Sequence, residues 1–151
     1  MQGENKYMMR AIELARQAAA AGEIPVGAVL VDGQSGEIVA EAFNLTERDH
    51  DATAHAEVLA LRAGGAKTGT PRLAACDLYV TLEPCPMCAA AISFARIRRL
   101  YFGAYDPKSG GVENTAPFYA QPTCHHRPEV YGGLHEQDCA QLMKDFFKDK
   151  R

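Results

Sequence analysis

The sequence predicts an α/β domain in which one sheet is covered by helices. Three observations carry this expectation: apolar spacing that switches between helical and strand periods, turn formers at each switch, and the resulting order α, β, β, α, β, α, β, loop, β, α. A chain of 151 residues with 47% hydrophobic content buries one substantial core, so a single domain spanning 1–151 without a linker is expected. No apolar run reaches the ~18 residues of a membrane span. The first ten residues mix Gln2, Glu4, Asn5, Lys6 and Arg10, which is unlike a signal peptide.

Tyr7, Met8, Ala11, Ile12, Leu14, Ala15 and Ala18 recur at helical spacing and Gly22 supplies a stop, giving a first amphipathic helix. Val26 to Val31 reads as an apolar strand. The cluster Asp32-Gly33-Gln34-Ser35-Gly36 turns it into a second strand, Glu37 to Phe43, as an antiparallel hairpin. Ala54, Val58, Leu59 and Leu61 suit a second helix from Ala54 to about Arg62, with Thr53 as N-cap and Gly64-Gly65 as its end.

Leu78-Tyr79-Val80-Thr81-Leu82 is a β-rich strand; Pro84 and Pro86 break it, and Met87 to Ala95 has helical composition. Arg99 to Ala104 predicts another strand, and Gly110 to Pro128 a long turn-rich loop with one short helix. Val130-Tyr131 forms a last strand. Glu136 to Lys148 is a terminal helix carrying Cys139, Leu142, Met143, Phe146 and Phe147 on its apolar side.

A net charge of -3 and a pI of about 5.9 give no bulk electrostatic support for nucleic-acid binding. Basic residues nevertheless cluster: Arg96, Arg98 and Arg99; Lys108; His125, His126 and Arg127; and Lys144, Lys148, Lys150 and Arg151. Each group fits either a local basic surface or an ordinary solvated helix face. The five cysteines, Cys76, Cys85, Cys88, Cys124 and Cys139, are an odd set that suits a reducing, cytoplasmic setting better than a disulfide framework.

Chemistry concentrates in two segments, His55-Ala56-Glu57 and Pro84-Cys85-Pro86-Met87-Cys88. One histidine and two cysteines can close three corners of a zinc tetrahedron and leave the fourth for water. A glutamate beside them that binds no metal can move protons. Both segments fall at predicted helix starts, where the helix dipoles favour ionised sulfur. A closed structural site needs a fourth ligand, for which Cys76, Cys124, His125 and His126 are the candidates. A redox CxxC leaves His55 and Glu57 unexplained and lacks the expected βαβ opening.

The segments Thr53-Ala54-His55-Ala56-Glu57, Leu78 through Cys88, and Pro25-Val26-Gly27-Ala28 resemble the zinc-dependent cytidine/deoxycytidylate deaminase superfamily, and within it the bacterial adenosine deaminases that act on tRNA. The likeness extends from the first helix to Phe146-Phe147. It implies a three-layer α/β/α cytidine-deaminase-like fold, a mixed five-stranded sheet flanked by helices, acting as a homodimer. It also implies one Zn2+ per subunit, held by His55, Cys85 and Cys88. Zinc-activated water would attack C6 of adenine with Glu57 as proton shuttle, converting adenosine to inosine at the wobble position of a tRNA anticodon.

By the same resemblance, Asn44 hydrogen-bonds the purine, the Ala56 backbone meets its reacting edge, and Asp106 and Phe147 lie near the flipped nucleotide. Val26, Leu82 and Phe43 are candidate apolar walls. Glu83 leads into the metal loop. The acidic sum and the absence of a longer basic tail keep two alternatives open: a deaminase of free guanine, cytosine or cytidine, and a noncatalytic zinc-stabilised RNA-binding module.

Overall fold

Five strands, β1 (Gly27–Asp32), β2 (Ile38–Phe43), β3 (Cys76–Leu82), β4 (Arg99–Ala104) and β5 (Glu129–Tyr131), form one mixed sheet in the order β2-β1-β3-β4-β5 in the computed structural model, which describes residues 2–149. Four helices cover it: α1 (Gln2–Ala20), α2 (Ala56–Thr68), α3 (Pro86–Phe94) and α4 (Glu136–Asp149), with a single 3-10 turn at Phe118–Ala120 in the long loop. Lys150 and Arg151, counted above in the terminal basic group, lie outside the described residues.

The period-2 alternation of the strands sorts the core into two layers. Ala28, Leu30, Leu78, Val80, Leu100 and Phe102 face Ala56, Ala60, Ala89 and Ile92 of α2 and α3. Their neighbours Val29, Val31, Tyr79 and Tyr101 face Met8, Ala11, Ile12 and Leu14 of α1 and Cys139 of α4. Leu78, Leu100 and Phe102 are completely buried, each contributing roughly 1.5–3 kcal/mol through removal from water. The expected three-layer α/β/α arrangement follows from this alternation.

β1 and β2 pair antiparallel, Ala28 opposite Ala42, as the hairpin reading requires. β3 is antiparallel to β1 and parallel to β4. Pairing sense therefore changes at β3, and its carboxyl end is the kind of switch point where open α/β sheets place ligands.

The second helix departs from expectation at both ends. It starts at Ala56 with His55 as N-cap (φ -75°, ψ 150°). Thr53 is not the cap, because its N–H and hydroxyl are both donated to Asp51 Oδ1, at 2.8 and 2.7 Å, in the turn before the helix. Gly64-Gly65 does not end it; α2 runs on to Thr68 and is capped by Gly69, which takes the left-handed conformation at φ 76°. A glycine inside a helix costs about 1 kcal/mol relative to alanine. Close packing explains the tolerance: a Cβ on Gly64 would stand 2.3 Å from Leu30 Cδ2.

Candidate active site

His55 and Cys85 are each the residue immediately before a helix, the N-caps of α2 and α3, and neither uses its side chain to cap. Pro86 at the first position of α3 preorganises that start. Both side chains are thereby free to turn toward one point. His55 Nδ1 lies 3.7 Å from Cys85 Sγ and 3.5 Å from Cys88 Sγ, and the three donor atoms fall within 4.8 Å of one another. Ordinary zinc bond lengths, about 2.3 Å to sulfur and 2.0–2.1 Å to nitrogen, put tetrahedral nitrogen and sulfur ligands roughly 3.5–3.6 Å apart. The donor set fits zinc in identity and spacing.

The candidates for a fourth protein ligand lie elsewhere. Cys76 opens β3 and so sits at the opposite end of that strand from Cys85. Cys124 Sγ donates to the His126 carbonyl at 3.1 Å, and His126 Nε2 lies 2.7 Å from the Ile97 carbonyl. Among the described residues, His55, Cys85 and Cys88 form the metal-competent group, and His125 is not part of it.

Charge in the group is unequally shared. Hydrogen bonding from Cys88 brings the Cys85 thiol down to about 4, with His55 assisting and burial opposing. Cys88 is pushed up, first by its hydrogen bond to Cys85 and then by burial and the charges of Glu57 and Cys85. His55 is raised by its hydrogen bond to Cys85, burial working against it. A first thiolate thus opposes a second, and a divalent cation among them would remove that opposition.

Two buried carboxyls beside the cluster are shifted in opposite directions. Glu57, in the first turn of α2, is pushed up to about 7 mainly by burial, with the charge of Cys85 adding to it. Glu83 is also desolvated, yet its carboxyl is held below the ordinary value because the N–H groups of Asp106, Glu113 and Asn114 and the Asn114 side chain outweigh burial. Donors make the difference. Glu57 is suited to exchange protons near neutrality, whereas Glu83 is suited to stay charged.

A cavity of about 930 Å³ opens over the cluster. His55, Glu57 and Cys85 line it, as do Val26, Asn44, Leu82, Asp106 and Phe147, which the sequence singled out; Cys88 lies fully buried behind. Glu83 and Met143, noted in the sequence for other reasons, also line it, as do Ile24, Thr46, Ala52 and Ser109, which carried no sequence signal of their own. Phe147 is exposed and meets Phe146 edge-on at 5.3 Å.

One expected wall lies elsewhere. Phe43 packs in the core layer against α1 and does not reach the cavity. Ala56 does not line it either, and its N–H is donated to Asn44 Oδ1 at 2.7 Å, which ties the Asn44 side chain to α2. Asp106 Oδ1 accepts the N–H groups of Lys108 (3.2 Å) and Ser109 (3.1 Å), which makes it a turn former as well as a wall.

The basic clusters divide. Arg98 forms two hydrogen bonds with Asp77, at 2.9 and 2.8 Å, and Arg99 pairs with Glu129. Arg127 donates to the carbonyls of Tyr119 and Gln121. These residues brace strands and loop. Lys108 lines the cavity, and Lys144 and Lys148 line an adjoining groove of about 720 Å³ with Tyr105. Cavity and groove share Leu82, Asp106, Lys108, Met143 and Phe147, so they form one continuous surface.

Residues 1–104 match the cytidine and deoxycytidylate deaminase zinc-binding region. A tRNA-specific adenosine deaminase of Agrobacterium fabrum (strain C58) is 52% identical over 145 residues, covering 96% of this chain and 94% of that protein. A structure solved in biochemical and structural studies of A-to-I editing by tRNA:A34 deaminases superposes with a TM-score of 0.88 at 52% identity, covering 91% of this chain and 98% of the other. Guanine deaminase from Bacillus subtilis superposes with a TM-score of 0.66 at 34% identity, covering 83% and 82%.

Proposed function

The chain belongs to the cytidine and deoxycytidylate deaminase zinc-binding family, and from this premise we propose that it hydrolyses adenosine to inosine at position 34 of a tRNA anticodon. His55, Cys85 and Cys88 would hold the zinc. When bound, that ion would supply Lewis acidity and make water nucleophilic near neutral pH.

Glu57 takes one proton from the attacking water and passes it to the ring nitrogen as the oxygen bonds to C6; it then takes the remaining proton of the new C6 hydroxyl and gives it to the amine, so that the bond from C6 to the amine breaks and ammonia leaves. Its carboxyl, raised by burial to about 7, can make both transfers without a large free-energy mismatch. Asn44 uses Oδ1 to accept the Ala56 N–H, which holds its amide in place and leaves Nδ2 to donate to an acceptor nitrogen of the purine. Val26 and Leu82 supply apolar contact to the base faces and exclude water around the reacting edge.

The observation that favours RNA over a free base is the continuity of the cavity with the Lys144, Lys148, Tyr105 and Phe147 groove. A cavity of about 930 Å³ that opens into a second groove exceeds the need of one base. Lysines along an aromatic-bearing groove supply phosphate attraction and a stacking surface, despite the net charge of -3. An anticodon-loop base is unpaired, so turning it into the cavity requires little unstacking energy. The test is ammonia release from an adenosine-34 anticodon stem-loop alongside guanine and cytosine. Release from the RNA is expected, and turnover confined to a free base would overturn the reading.

The working unit is a homodimer joined through α2 and α3. In support, Phe94 is 71% exposed and lies with Val58, Leu61 and Ala91 around a cavity of about 570 Å³ open between those helices. Light scattering after gel filtration should give twice the chain mass and Phe94→Asp the single mass; a monomeric wild type at micromolar concentration would contradict the assignment. A cytoplasmic location suits five free thiols, and recovery of the protein from an oxidising compartment on cell fractionation would argue against it.

A further inference from the structure

We propose that Glu23 and Glu83, two buried carboxylates outside the metal group, are positioning residues that preset the two loops walling the RNA cleft. Glu23 is 1% exposed and Glu83 2%. Neither is in an ion pair among the described residues. Each carboxylate is instead satisfied by donors from a segment without regular structure, and each segment reaches the cavity.

Glu23 follows the end of α1. Its Oε1 accepts the Glu47 N–H at 3.1 Å and the Thr46 hydroxyl at 3.5 Å, and its Oε2 accepts the Arg48 N–H at 2.8 Å. That loop runs from Asn44 to Ala52 and contributes Asn44, Thr46 and Ala52 to the cavity. Its two ends are joined by Leu45 N–H donating to the Ala54 carbonyl at 3.0 Å. The carboxylate therefore holds the stretch that the helix cannot reach.

Glu83 does the same on the other loop. Its Oε1 accepts the Asp106 N–H at 3.0 Å and the Asn114 side-chain amide; its Oε2 accepts the N–H groups of Val112, Glu113 and Asn114 at 3.2, 2.8 and 3.1 Å. The loop closes tightly on it, since a Cβ on Gly110 would stand 2.4 Å from the carboxylate. Gly111 N–H also donates to the Pro84 carbonyl at 2.7 Å, which joins the loop to the chain entering Cys85. Asp106, Lys108 and Ser109, the cleft residues of this loop, thus take their place from Glu83.

A buried charge is costly unless fully hydrogen-bonded, and bonds to a charged acceptor are stronger than neutral ones. Glutamine has the same shape, but its amide would face one of these N–H groups donor to donor. The loop must then move while the core beneath it stays. Loose cleft walls weaken substrate positioning before they affect the chemical groups on α2 and α3.

The inference rests on the adenosine-34 reading, so wild-type turnover of the stem-loop is the reference measurement. Glu23→Gln and Glu83→Gln should each retain stoichiometric zinc by atomic emission and raise KM for the stem-loop by about tenfold, the scale of one charged hydrogen bond, with a smaller fall in kcat. The double variant should multiply the two effects, because the loops share no partner. Unchanged KM with only a lower melting temperature would reduce both residues to structural anchors and overturn the inference while leaving the deaminase reading intact. An inactive wild type on the stem-loop would overturn the RNA reading and this positioning role together. Should a glutamine variant fail to fold, Thr46→Val and Asn114→Ala each remove one side-chain donor and keep the carboxylates; unchanged KM in both would also overturn it.

Discussion

Glu57→Ala is expected to keep one zinc per chain and to lose turnover by about 10²–10⁴-fold, the range of a positioned general acid–base group. Glu57 is buried in the first turn of α2 and lines the cavity over the cluster, yet it does not belong to the metal-competent trio. Removing its carboxyl leaves His55, Cys85 and Cys88 in place. Zinc measured by atomic emission and ammonia release from the stem-loop separate the two functions. Substantial remaining deamination would take the proton-transfer role away from Glu57.

His55→Ala is expected to lose metal and activity together. The substitution deletes the only nitrogen in the trio and leaves two sulfurs, one of whose thiols is held low partly by the histidine. Two thiolates without the imidazole concentrate negative charge at one point and leave zinc two protein ligands short of its usual four. The effect should be large: open sites that lose a primary ligand lose the ion itself, and with it the lowered pKa of water. Wild-type zinc content in the variant would count against ligation by His55. The contrast with Glu57→Ala is the more informative comparison, since the two residues are separated by a single alanine yet should fail in different ways.

Both outcomes depend on features unequally visible in the sequence. The handover from strand to helix at the CxxC was readable because Pro84 and Pro86 end a strand carrying Val80 and Thr81, and the strand at Arg99 to Ala104 because its residues alternate locally. The bounds of α2 were not. Thr53 and Gly64 look like a start and a stop, but Asp51 claims one and Leu30 packs on the other. Each reversal comes from a partner elsewhere in the chain, which local propensity does not register.

The cleft shows the same division. His55, Glu57, Cys85 and Cys88 announce themselves by residue type and spacing, since few other reasons put one histidine, one glutamate and a cysteine pair at helix starts. Ile24, Thr46 and Met143 are ordinary residues that become walls only because the segments following α1 and β2 and one face of α4 meet over one strand end. Arg98 and Arg99 fit either a basic surface or a solvated face by sequence, and Asp77 and Glu129 opposite them decide for internal pairing.

Sequence by itself determined the element order, the zinc-type donor set and the candidate for a proton-moving carboxylate, because those depend on short-range pattern and on the intrinsic chemistry of side chains. Tertiary structure alone decided that three donors from two helices converge and that burial raises Glu57 while buried N–H groups lower Glu83. It also decided which lysines adjoin the cleft. Distance, desolvation and hydrogen-bond partners are properties of residues far apart in the chain, and they exist only once the sheet has brought its layers together.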